Sequence, residues 1–231
     1  MKPICFIGAR GGSQGVLNKN IRIIAGKPLI AHTIEKAINS KLFSHVVVST
    51  EDKKIIQIAK KFGAEVPFIR PKKLASNHAS MKDVLIHGIK KLNSLGFQFD
   101  TLVLLDCTVP FIRIIDIKNA LILLKKKKSI VVCGVYKQHL NPYFNIAEIT
   151  KQGHLQLCKK LKEKPESRQD APIVYQMNGL YLFNSKKFLK EGKSVMEKMI
   201  PYEIPLETGL MIDTEYEFNI AKLILESKKK L

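Results

Sequence analysis

The stretch Ile4-Cys-Phe-Ile-Gly-Ala-Arg-Gly-Gly-Ser-Gln-Gly15, with Asn18-Lys-Asn20 close behind, decides the fold. Ile4 to Ile7 is a short apolar, strand-like run that opens into four glycines within eight residues. Those glycines carry Arg10, and Lys19 follows them. No Gly-Lys-Ser/Thr closes the loop, so it is not a Walker A loop, and its spacing misses the dinucleotide fingerprint. It still has the parts of a polyphosphate cradle. Glycine lets backbone approach an anion and turn N–H groups toward it, and Arg and Lys supply charge. The competing reading is a plain flexible turn.

Working outward, Pro28 to Asn39 has helical apolar spacing, and His45 to Thr50 reads as a buried strand. A lysine-rich helix is expected over Glu51 to Phe62, a strand over Val66 to Arg70 and a helix over Met81 to Leu95. Thr101 to Asp106, Asp116 to Lys127 and Ser129 to Val135 continue as strand, helix and strand. This alternation predicts an α/β fold, a mostly parallel sheet with helices on both faces. Ligands of such sheets bind at the carboxyl ends of the strands, where Arg10, Thr50, Arg70 and Asp106 are expected.

After Val135 the rhythm changes. Tyr143 to Ile149, a Lys-Gln-Gly turn and Leu155 to Leu161 predict a hairpin, followed by the polar stretch Lys162 to Asp170. Val174 to Phe183 is strand-like, and Thr214 to Lys228 is expected as a terminal helix. No repeat or linker divides the chain, so residues 1–231 are expected as a single domain. A hairpin within an α/β chain predicts a protruding insertion, roughly residues 137–173, of the kind that makes subunit contacts.

Composition narrows the class. In 231 residues, 45% hydrophobic and 26% charged, no stretch approaches the ~20 apolar residues that span a bilayer. Met1 to Arg10 lacks the long apolar region of a signal peptide, which predicts a cytoplasmic protein. Cys5, Cys107, Cys133 and Cys158 have neither metal-ligand pairing nor scaffold density, and the histidines lack ligand spacing. A net charge of +19 raises nucleic acid as a partner. The excess, however, is lysine in helical and tail segments such as Lys125 to Lys128 and Lys228 to Lys230. No aromatic residues interleave for base stacking. Solvated lysine faces are expected, with no nucleic-acid and no membrane partner.

Several motifs in register sharpen this. Ala9-Arg-Gly-Gly-Ser-Gln-Gly15, Asn18-Lys-Asn-Ile-Arg22 and Ala25-Gly-Lys-Pro-Leu29 resemble the CMP-sialic acid synthetases, the acylneuraminate cytidylyltransferases. Val46-Val-Val-Ser-Thr50, Gly63-Ala-Glu-Val-Pro-Phe-Ile-Arg-Pro71, Arg168-Gln-Asp-Ala-Pro172, Asn178-Gly179 and Ile212-Asp-Thr-Glu215 are similar to later motifs of that family, in order. The resemblance spans nearly the full length. It implies a nucleotide-diphospho-sugar transferase-like fold and a reaction of CTP with a 2-keto sugar acid to give CMP-sugar and pyrophosphate. It further implies a homodimer built by the hairpin segment, with residues reaching the partner's site.

By the same resemblance, Arg10 and Lys19 with a divalent cation, Mg²⁺ or Mn²⁺, meet the phosphates. Ala9, Gly11, Gly12, Ser13, Asn20, Arg70 and Ser80 hold the nucleotide, although Arg70 also reads as a surface ion pair and Ser80 as a helix cap. Arg168 is the implied ligand of the sugar carboxylate, since a guanidinium fork matches a carboxylate. Lys137, Asn178 and Tyr181 complete the implied sugar site, with plain surface the alternative for Lys137.

Two departures stand out. Where the family usually reads Gln-Pro-Thr-Ser-Pro, this chain has Asp106-Cys-Thr-Val-Pro110, which resembles the branch handling legionaminate-type bacterial nonulosonates. Where the family reads Asp-Ile-Asp, this chain has Met211-Ile-Asp213, so Asp213 and Asp106 are the expected metal ligands. The alternatives are another sugar-nucleotide pyrophosphorylase such as a CMP-ketodeoxyoctonate synthetase, or an inactive nucleotide-binding homologue.

Overall fold

Side chains along a strand alternate between two faces, and here both faces are covered. The computed structural model describes residues 1–13, 15–163, 165–191 and 198–227. Strand β1 (Ile4–Gly8) leads through the glycine loop and a minor hairpin, β2 (Ile23–Ile24) with β3 (Lys27–Pro28), into helix α1 (Leu29–Ser40). Next come β4 (His45–Ser49), α2 (Lys53–Lys61), α3 (Met81–Ser94), β5 (Thr101–Leu105), α4 (Ile114–Lys126) and β6 (Val131–Gln138). The remainder holds β7 (Ala147–Ile149), β8 (Leu155–Leu157), β9 (Val174–Asn184), α5 (Ser185–Glu191), β10 (Ile200–Glu203) and α6 (Glu215–Ser227).

Six strands form one sheet in the order β10-β6-β9-β5-β1-β4. β1 pairs in parallel with β4 and β5, and β10 with β6, whereas β9 runs antiparallel between β5 and β6. The mostly parallel α/β sheet is as expected. Its period of two sorts the core into two layers. Cys5, Ile7, Val46, Val48, Val103 and Leu105 face α1, α2, α4 and α6, through residues such as Ile34, Ala59, Ala120 and Phe218. Ile4, Phe6, Val47, Leu102 and Leu104 face α3 and α5, through Val84, Ile89, Leu92 and Phe188. The second layer is drawn tight at Gly88, where a Cβ would lie 2.6 Å from the Phe6 ring. Burying a side chain of this size stabilises by about 1.5–3 kcal/mol.

Three expectations need correction or completion. Val66 to Arg70 is not a strand: only Glu65 bridges to β4, at Val47, because Pro67 lacks the N–H a ladder requires. The chain still runs alongside, and Arg70 N donates to Thr50 O at 2.9 Å. The hairpin is real but short, with Ala147–Ile149 antiparallel to Leu155–Leu157. Helix α5 and strand β10 had no counterpart in the sequence reading. β10 carries Pro201 and lies at the sheet edge, where a missing N–H is tolerated. Gln14 of the loop motif, Lys164 of the polar stretch and Lys228 to Lys230 lie outside the described residues.

Candidate active site

The carboxyl ends of β1, β4 and β5 open into a cleft of about 410 Å³ lined by Arg10, Lys19, Asn20, Arg70, Asp106 and Asp213 among others. Each is held by a nameable contact. Arg10 Nη1 donates to Asn77 Oδ1 at 2.5 Å, reaching across the cleft to the segment before α3. Asn20 is buried, and its Nδ2 donates to Arg10 O at 3.1 Å, so the loop's two ends support each other. Lys19 Nζ donates to Ile212 O at 2.6 Å and pairs with Asp213 Oδ1 at 3.1 Å. Arg70 is only 4% exposed. Its Nε donates to Ser49 Oγ at 3.2 Å and its Nη2 to Ser49 O, which makes it part of the cleft floor and not a surface ion pair. Burial lowers its pKa, opposed by the charge of Glu51 and reinforced by Arg10.

One loop glycine is required by the backbone around it, and a second is crowded by a side chain. A Cβ on Gly15 would sit 2.1 Å from the Asp213 carbonyl oxygen, and one on Gly11 would sit 2.6 Å from Asp52 Oδ2. Gly12, by contrast, has open space around it. The loop is therefore clamped between the β4–α2 turn and the segment before α6, with Ala9 N donating to Ser49 O at 3.1 Å. Gly12 and Ser13 remain at its outer lip.

Asp106 ends β5 inside the cleft, and its Oδ1 accepts from Thr108 N at 3.1 Å. Burial pushes its carboxyl above the usual range. The Thr108 hydrogen bond and the charge of Lys19 counter the shift, and Asp213 adds to it. Asp213 is exposed, and Glu217 Oε2 accepts from its backbone N at 2.7 Å. No cluster of three or more potential metal-ligating residues occurs among the described residues. Two carboxylates facing one cleft nonetheless fit a hard divalent cation whose remaining oxygens come from phosphate and water. Met211 lies in the same wall, where its sulfur accepts weakly from Gln176 Nε2 at 3.6 Å.

A second pocket of about 230 Å³ adjoins the cleft and shares Met81, Asp106 and Met211 with it. Leu85, Leu104, Met177 and Phe183 make it apolar, and Asn178 and Tyr181 line it as well. Asn178 is buried with Nδ2 donating to Gly209 O at 3.1 Å, and burial drives the Tyr181 phenol well up. Gly179 is needed here, since a Cβ would come within 2.6 Å of Asp106 Cβ.

Six of the expected site residues line neither cavity: Ala9, Gly11 and Gly12 of the first loop, and Ser80, Lys137 and Arg168. Ser80 caps α3, accepting from Asp83 N at 3.1 Å, between cleft residues Ala79 and Met81. Lys137 faces Glu203 at 3.6 Å on the surface. Arg168 is exposed on a turn held by Ser167 and Asp170. Conversely, Asn77, Met81 and Met177 belong to the cavities with no signal in the sequence, because they reach them from loops or from neighbouring elements, and Thr108 enters from the Asp106–Pro110 motif.

A cation-bearing glycine loop at the carboxyl edge of a doubly wound sheet defines a nucleotide-binding α/β protein. A solved structure of CMP:2-keto-3-deoxy-manno-octonic acid synthetase complexed with CTP shares this fold, with a TM-score of 0.74 at 18% identity over 100% of both chains. Residues 4–223 match the cytidylyltransferase family, and the chain belongs to it. The chain is 37% identical over 234 residues to post-translational flagellin modification protein B of Campylobacter coli, covering 97% of this chain and 95% of that one. It is 36% identical to the CMP-N,N'-diacetyllegionaminic acid synthase of Campylobacter jejuni, with the same coverage. The pseudaminic acid cytidylyltransferase of the same species is 29% identical, over 97% of this chain and 96% of that one.

Proposed function

We propose that this cytidylyltransferase moves the cytidylyl group of CTP onto a nonulosonic, sialic-type sugar acid, releasing pyrophosphate. The observation that carries the reading is the pair of adjoining cavities, one cationic and one apolar, meeting at Asp106. The anomeric hydroxyl attacks the α-phosphorus, its oxygen–phosphorus bond forms, and the bond to the β-phosphate oxygen breaks with the electron pair leaving on pyrophosphate. Arg10 and Lys19 balance the charge that gathers on the phosphoryl oxygens. Asp106, at the junction of the cavities, is suited to accept the hydroxyl proton or to hold a cation. Bound by Asp213 and Asp106, Mg²⁺ or Mn²⁺ would supply Lewis-acid charge to the phosphates.

The relatives named from Campylobacter jejuni support a nonulosonate in preference to ketodeoxyoctonate. Met211 is the one observation that favours an inactive homologue, since a thioether is a poor ligand for a hard cation. Exposed Ile149 and Leu155 on the β7–β8 hairpin support a homodimer, in which Arg168 would serve the partner's sugar site. No helix among the described residues is long and apolar enough to cross a membrane. The deciding experiment measures pyrophosphate release from each of the four nucleoside triphosphates against a panel of nonulosonates. CTP with one diacylated nonulosonate is expected to dominate. Equal rates with all four nucleotides would defeat the cytidine assignment.

A further inference from the structure

Beneath the glycine loop lies an acidic side chain that no step above uses. Glu51 follows β4, in a turn that its neighbours make rigid. Asp52 N donates to Thr50 Oγ1 at 3.1 Å, and Asp52 Oδ1 caps α2 by accepting from Lys54 N at 2.7 Å and Ile55 N at 3.0 Å. From this turn Glu51 Oε1 accepts the Gly11 N–H at 2.8 Å. Its second oxygen is buried with no hydrogen-bond partner among the described residues. A carboxylate so close to a polyphosphate cradle is, as charge alone, unfavourable for an anionic ligand. Its geometry supplies the compensation. A loop of small residues has much conformational freedom to lose on binding, and a hydrogen bond formed in advance removes part of that cost.

We propose that Glu51 is a positioning residue that anchors the nucleotide-binding loop through the Gly11 N–H and so presets Arg10 for the phosphates. Gly11 lies close against Asp52 of the same turn, where an added Cβ would come within 2.6 Å of its Oδ2. The field of Glu51 also bears on Arg70 and opposes the effect of the Arg10 charge there.

The proposal rests on the reading of this loop as the CTP site, and the test separates the two. Gly11 amide exchange is measured by NMR on the nucleotide-free chain, and CTP kinetics on the same preparations, for wild type, Glu51→Ala and Glu51→Gln. Thermal melts check that each is folded. Glu51→Ala is expected to speed Gly11 exchange and to lower kcat/KM for CTP about tenfold, the loss of one charge-assisted hydrogen bond. Glu51→Gln keeps an acceptor oxygen and should recover most of both. An alanine variant with unchanged exchange, or with CTP use equal to or better than wild type, overturns the anchor. So does a glutamine variant as impaired as alanine, which would assign the effect to charge. Faster Gly11 exchange in Glu51→Ala, with wild type itself indifferent to CTP, would leave the anchor standing and sink the nucleotide reading.

Discussion

The two cavities that meet at Asp106 are built by different physics. The cleft gathers its cations from chain segments far apart: Arg10 and Lys19 from the first loop, Arg70 from the run after α2. Lys19 is tied to a backbone carbonyl and to Asp213, Arg70 to Ser49, and Arg10 to the Asn77 amide oxygen, so each cation has a hydrogen-bond partner and Lys19 a countercharge. The neighbouring pocket draws on Leu104, Phe183 and Met177 in β5 and β9 and on Leu85 in α3, side chains that offer surface and few hydrogen bonds. On the proposed function, the contrast assigns charge to holding one substrate and shape and apolar contact to holding the other. Among the described residues, only Met81, Asp106 and Met211 touch both.

The contrast can be broken most sharply at Arg10. Arg10→Ala should lower turnover about 10²–10³-fold, as loss of one preorganised transition-state donor does, with the fold intact by circular dichroism. Near-normal kcat in the folded variant would remove the loop from the chemistry.

A smaller effect sharpens the other side. Met177→Asp places an anion in the apolar pocket, where an acidic sugar would meet like charge. The sugar KM should rise about tenfold or more while the CTP KM stays near wild type. A rise in both would show that the cavities do not divide the substrates.

Asp106 tests their junction. Asp106→Asn should raise the Mg²⁺ concentration needed for half-maximal rate, measured at saturating CTP and sugar. Unchanged Mg²⁺ dependence would leave Asp213 as the metal carboxylate. The same variant makes the smallest prediction, on stability. Burial raises the Asp106 pKa in the folded state above its ordinary value, so the folded protein binds this proton more tightly than the unfolded chain. The carboxyl therefore costs nothing below its ordinary pKa, and its cost appears as pH rises from there through the raised value. Asp106→Asn should melt slightly higher than wild type at neutral pH, and the gap should close in acid. A variant less stable at neutral pH would show that Lys19 and Thr108 outweigh burial.

Much of this architecture was legible from residue order. Ile4–Gly8, His45–Ser49 and Thr101–Leu105 are apolar runs whose burial on both faces requires a covered parallel sheet. Leu29–Ser40 and Met81–Ser94 show helical spacing and, in α3, a serine cap. Val66 to Arg70 misled because its apolar residues imitate a strand while Pro67 denies the ladder a donor. Of the site, the Arg10 and Lys19 loop announced itself by composition. Ser80 and Lys137 did not enter the cavities, because a hydroxyl already serving a cap and a lysine facing Glu203 have local partners.

What the sequence by itself determined is the set of elements and the chemistry of the first loop, since both depend on spacing within a few residues. Only the tertiary structure decided which glycines the protein itself requires, that Glu51 lies under Gly11, and that Asp106 and Asp213 share a cleft. Those contacts join residues about 40 to 200 positions apart, and packing alone sets their distances.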